Sequence, residues 1–146
     1  MIYDIGKKEQ VHSYTFPDDV ANHSSCFLDD VVLDYVNGDV QFAYITDTLE
    51  GKLYVYDYRR DTSYVFQDPS MMAEKEGGFP IDGIAMSAQF DFVYFCPLDG
   101  LGLFQVGYTL SLYRPEDPSV VCRSYLNTLH LSLLAVALYL FLNYFS

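Results

Sequence analysis

Tryptophan is absent, histidine occurs three times, and lysine plus arginine number only 8 against 20 aspartates and glutamates. The formal net charge of -12 repels phosphate backbones and excludes nucleic acid as a natural partner. The same surface attracts cations, whether metal ions or protonated amines. Cysteine is also scarce. Cys26, Cys96 and Cys122 are an odd set at spacings that fit no zinc pattern, which leaves open one disulfide or three buried thiols. No P-loop, HExxH, GxSxG or CxxC motif is present. His12, His23 and His130 are scattered over an outer strand, a loop and the tail, and read as solvated or incidental rather than as ligands. With no catalytic constellation, the reading leans away from an enzyme. An apolar h-region is missing as well: Met1 to Ile5 leads straight into Lys7, Lys8 and Glu9, so no signal peptide is expected in this chain.

What is abundant is tyrosine and phenylalanine, 14 and 11 residues, types that favour pleated, half-buried strands. Asp30 to Val36 reads as a strand, Asn37-Gly38 as a type I′ turn, and Val40 to Thr46 as the returning strand. Lys52 to Tyr58 and Ser63 to Gln67 follow after short polar loops. Four consecutive antiparallel strands in a meander are the unit of a propeller blade. The segment also repeats. Ile2-Tyr3-Asp4-Ile5 is similar to Val55-Tyr56-Asp57-Tyr58. Asp30-Val31-Val32 is similar to Asp82-Gly83-Ile84. Phe42-Ala43-Tyr44-Ile45 is similar to Phe92-Val93-Tyr94-Phe95, and Leu53-Tyr54-Val55 to Leu103-Phe104-Gln105. All four offsets fall at 50–53 positions, near the spacing of propeller repeats. That common offset argues against an immunoglobulin-like sandwich, the other fold with short strands and frequent turns.

The fold class expected is therefore all-β: part of a β-propeller with four-stranded antiparallel blades, followed by a C-terminal apolar helix. Residues 2–16 are the last two strands of one blade, 29–67 a full blade, and 81–110 the first three strands of the next. Propellers close with about 4–8 blades, so the sequence is read as a fragment of one. Residues 114–128 are taken as a linker. Residues 129–146 are almost wholly apolar, and no charged residue occurs from Ser124 to Ser146. This tail has three readings: a membrane span near the lower length limit, a glycolipid-anchor signal, or sequence foreign to the propeller, such as read-through past a truncated coding region. The last is preferred, because the tail replaces strands the fold needs.

Phe27 to Asp34, Phe42 to Thr48 and Leu53 to Tyr58, followed by Asp68-Pro69-Ser70-Met71, Asp82-Gly83-Ile84 and Tyr94-Phe95-Cys96-Pro97-Leu98, resemble in order and spacing the Yellow / major royal jelly protein family. The resemblance covers about residues 1–113. Asp29 stands where the family usually has Asn, and Cys96 where it has His. The resemblance implies a six-bladed propeller of a secreted, arthropod-type protein. It implies roles ranging from cuticle pigmentation and dopachrome conversion to the binding of biogenic amines.

In a propeller the innermost strand of each blade lines the channel, and the loops entering it share a face with those joining the second and third strands. That places Leu28, Asp29, Asp30, Asp47, Thr48, Asp82 and Gly83 at one channel mouth. Such carboxylates bind an amine through charge-assisted hydrogen bonds or ligate a hard cation such as calcium. Each taken singly also suits local bonding to turn N–H groups. No other cofactor is expected. Asn22-His23-Ser24 is an N-glycosylation sequon. The preferred function is a secreted propeller that binds a small cationic or aromatic ligand, or serves in pigmentation. The alternatives are a dopachrome-converting enzyme of melanin metabolism and a truncated, inactive paralogue or incomplete gene model. The expected location is extracellular, or the membrane if the tail anchors the chain.

Overall fold

The computed structural model describes residues 1–107 and 123–124. Among the described residues ten antiparallel strands form three sheets: β1 (Ile2–Asp4), β2 (Glu9–His12), β3 (Leu28–Val36), β4 (Asp39–Asp47), β5 (Lys52–Asp57), β6 (Thr62–Phe66), β7 (Ile81–Met86), β8 (Phe92–Pro97), β9 (Phe104–Gly107) and β10 (Arg123–Ser124). The order is β1-β2, then β3-β4-β5-β6, then β7-β8-β9-β10, each a simple meander. The middle sheet is a four-stranded antiparallel meander over residues 28–66. The third sheet has one strand more than the sequence indicated, because Arg123–Ser124 pairs with Gln105 and Phe104 of β9 inside the stretch read as a linker. The C-terminal helix expected over 129–146, and Cys122, lie outside the described residues. Among the described residues no helix is long and apolar enough to cross a membrane.

The turns repeat with the blades. Asn37 and Gly38 carry φ of 55° and 88°, the left-handed pair that the type I′ hairpin needs. Asp57 closes the β5–β6 turn by accepting the N–H groups of Arg59 and Arg60 at 3.0 and 3.1 Å, and Asp61 takes φ 52°. One blade earlier Asp4 accepts the N–H of Lys7 at 2.9 Å, and Lys8 takes φ 56°. The same aspartate-led turn thus recurs at the offset of 53 seen in the sequence.

The core lies between the two four-stranded blades. Phe42 and Tyr44 of β4, Leu53 and Val55 of β5, and Phe66 of β6 pack with Met71, Ile81, Val93, Phe95 and Val106. Burying each aliphatic or aromatic side chain of this set contributes about 1.5–3 kcal/mol. The alternate residues of β5 face the other way. Tyr54 meets Phe16 at 5.8 Å between centroids, and Tyr56 meets Tyr14 at 4.5 Å, which docks the chain following β2 onto the blade.

His12 is part of this second contact, not a solvated side chain. Its Nε2 lies 2.7 Å from the Tyr56 hydroxyl and 3.2 Å from Asp61, and the Tyr56 hydroxyl donates to Asp61 at 2.7 Å. The signal in the sequence was the alternation His12, Tyr14, Phe16, which puts all three on one face of an extended strand.

Gly51, in the β4–β5 turn, is held by two constraints. Its φ is +66°, and a Cβ there would meet Met72 Sδ at 2.5 Å and Pro80 Cβ at 3.1 Å. Gly77 has φ +69° but open space around it. Gly51→Ala is expected to destabilise the chain by about 1–3 kcal/mol through strain and overpacking, and Gly77→Ala by less. Denaturant midpoints of the two variants measure the difference, and equal midpoints contradict the packing argument.

Candidate functional site

β3 and β7 are the innermost strands of their blades and lie side by side. Each begins with a bulge. On β3, Leu28 pairs with Asp47 and the next pair is Val31 with Ile45. On β7, Ile81 pairs with Pro97 and the next is Ile84 with Phe95. Two positions therefore oppose one in both blades, and a bulge of this kind redirects side chains at a strand end. The bulged residues are Asp29-Asp30 in one blade and Asp82-Gly83 in the other. Asp29 and Asp82 are thus the equivalent pair, one register away from the Asp30–Asp82 match read in the sequence. The adjacent aspartates at 29 and 30 left that register ambiguous.

The two equivalents meet across the blade boundary. The carboxyl of Asp82 is pushed up to about 6, first by its hydrogen bond with Asp29, then by burial and by the Asp29 charge. The Thr48 hydroxyl, 3.4 Å from Asp82 Oδ1, works in the opposite direction. At this end of the strands Leu28, Asp29 and Asp30 are exposed, Asp82 and Gly83 are half-buried, and Thr48 is buried. Asp30 is engaged locally: its Oδ1 accepts the Val31 N–H at 2.8 Å, and its own N–H donates to Thr46 Oγ1 at 3.0 Å. Among the described residues no lysine, arginine or histidine forms an ion pair with Asp29, Asp30 or Asp82.

Asp47 is placed differently. It is 0% exposed. Its Oδ1 accepts the N–H groups of Phe27, Leu49 and Glu50 at 3.1, 2.9 and 3.0 Å, and its Oδ2 accepts the Tyr54 hydroxyl at 2.8 Å. Its carboxylate is fully engaged inside the fold and does not line the mouth. Burial, then the Asp47 hydrogen bond, pushes the Tyr54 phenol far up, so Tyr54 stays a donor. A charged acceptor with four donors stabilises strongly, at about 1.5–3 kcal/mol for a hydrogen bond to a charged group.

Residues 1–107 match the family described as Major royal jelly protein. The chain belongs to the major royal jelly protein family. No curated protein matches it significantly. Cys96, on β8, feels the charge of Asp82. The half-buried thiol is pushed up by burial and then by the charge of Asp82, so it is neutral at pH 7. Cys26 and Cys96 are both free thiols.

Sequence reading missed Asp34, near the end of β3. It is 1% exposed. Its Oδ2 accepts the Tyr44 hydroxyl at 3.2 Å, and its Oδ1 has no partner among the described residues. Burial pushes this carboxyl up, only partly offset by Tyr44. The folded chain holds the Asp34 proton more tightly than the unfolded chain. Its contribution to stability is therefore lost as pH rises from the ordinary carboxylate range through the raised value.

Two variants test these assignments. Asp47→Ala strands four donors and is expected to cost about 3 kcal/mol or more, read as a shift in the denaturant midpoint; a loss near zero contradicts the hub. Asp34→Asn is expected to melt above the parent chain at about pH 8, with the gap closing toward about pH 4. A pH-independent gap would show that ionisation of Asp34 is not the cause.

Proposed function

We propose that this member of the major royal jelly protein family is an extracellular propeller protein that holds a small protonated amine at the channel mouth. One observation carries the reading. Two equivalent carboxyls, Asp29 and Asp82, are lifted by matching bulges into contact across a blade boundary, with no basic side chain paired to them among the described residues. Two carboxylates held this close repel unless a proton or a cation lies between them. An ammonium group supplies that charge together with up to three hydrogen-bond donors. An organic cation is preferred to calcium, because among the described residues no group of three or more His, Cys, Asp or Glu side chains is placed to hold a metal ion. An aromatic amine suits the surroundings as well, since Leu28 lies exposed beside the pair. Extracellular placement and a role in pigmentation rest on the family alone.

The proton on the pair competes with the amine. With Asp82 at about 6, affinity is expected to rise about tenfold between pH 5 and pH 7.5, the span in which Asp82 loses its proton. Calorimetric titration with dopamine and serotonin at the two pH values measures this. Asp82→Asn is expected to weaken binding and flatten its pH dependence. Absence of heat at high micromolar amine, or affinity indifferent to Asp82→Asn, defeats the reading. Loss of dopachrome absorbance beyond that of heat-killed protein would favour the enzyme alternative instead.

A further inference from the structure

The crossover from β2 to β3 carries a built modification site. Pro17 accepts the N–H groups of Val20 and Ala21, both at 3.0 Å, and Ala21 is 1% exposed, which anchors the loop. The chain then reverses at Asn22, whose carbonyl accepts the N–H groups of Ser25 and Cys26 at 3.1 and 2.9 Å. Asn22 and Ser24 are both exposed. Asn22 Oδ1 accepts the Ser24 N–H at 2.9 Å, an Asx-turn. That bond turns the carboxamide back along its own tripeptide. Its Nδ2, like the Ser24 hydroxyl, has no hydrogen bond among the described residues. The intervening residue is His23, so no proline blocks the turn, and Asn22-His23-Ser24 is the one Asn-x-Ser/Thr tripeptide in the sequence.

We infer that Asn22 is an N-glycan attachment site whose glycan stands on the face of the blade that carries the acidic pair. The donor is an oligosaccharide on a polyprenyl pyrophosphate. Asn22 Nδ2 forms a bond to the anomeric carbon, the bond from that carbon to the pyrophosphate oxygen breaks, the polyprenyl pyrophosphate leaves, and the amide loses one proton to a base of the transferase. The face is set by the ties between the crossover and the β4–β5 turn. Phe27 N–H donates to Asp47, Thr48 N–H donates to the Phe27 carbonyl at 3.1 Å, and Ser25 Oγ donates to Glu50. Thr48, in that turn, in turn contacts Asp82. A glycan at Asn22 therefore rises beside the channel mouth and away from the core between the blades.

The test expresses the full chain behind a cleavable secretory leader in insect cells and weighs the luminal product before and after an amidase that releases N-glycans. The parent chain and Ser24→Thr are expected to lose the mass of one glycan, with Asn22 converted to aspartate. Asn22→Gln and Ser24→Ala are expected to lose nothing. Because the sugar is read on the chain whether or not a variant folds well, misfolding does not obscure the result. An unmodified Asn22 peptide from luminal parent chain overturns the assignment, as does the same mass loss in Asn22→Gln. Neither outcome bears on the amine titration.

Discussion

A buried carboxylate with four donors organises this molecule. Asp47 gathers the N–H of the arriving crossover, two N–H groups of its own turn and the hydroxyl of Tyr54 on the neighbouring strand. Its charge would be costly in the interior without them. With them it ties the crossover, the β4–β5 turn and β5 together. The start of β3 is thereby held to the end of β4, and that junction sets where the bulge at Asp29-Asp30 falls. The acidic pair inherits its geometry from a residue outside it.

The bulges are the second layer of this construction. A regular strand start would alternate its side chains and send neighbouring positions to opposite faces. Adding one residue in each inner strand breaks that alternation at equivalent places. The repeat therefore copies more than a fold: it copies a departure from regular pairing, and the departure brings like charges together. Like charges brought this close carry an electrostatic penalty, which the raised carboxyl of Asp82 registers.

Much of the architecture was legible in the sequence because propeller blades repeat. Asn37-Gly38, the aspartate-led turns at Asp4 and Asp57, and the 50–53-residue offsets placed the strands of the middle blade closely. The site was legible only in part. Asp29 and Asp82 were named, but Asp47 was grouped with them, because turn type alone does not show which way a carboxylate points. Asp34 is one of three aspartates in β3 and nothing in the strand's pattern marks it as the buried one, while the alternation of His12 with Tyr14 and Phe16 does not reveal the partners of His12, 44 and 49 positions away. The strand at Arg123–Ser124 was hidden because two residues hold no periodicity.

The alternation along β5 has a further consequence. Leu53 and Val55 offer the following blade a dry, aliphatic face, while Tyr54 and Tyr56 offer the preceding one hydroxyls and ring edges. A blade built this way has a front and a back with different chemistries, and each accepts only its complement. Blades of this kind cannot be shuffled or turned round without setting hydroxyls against aliphatic side chains. The order of this blade and its two neighbours is written into one strand, β5.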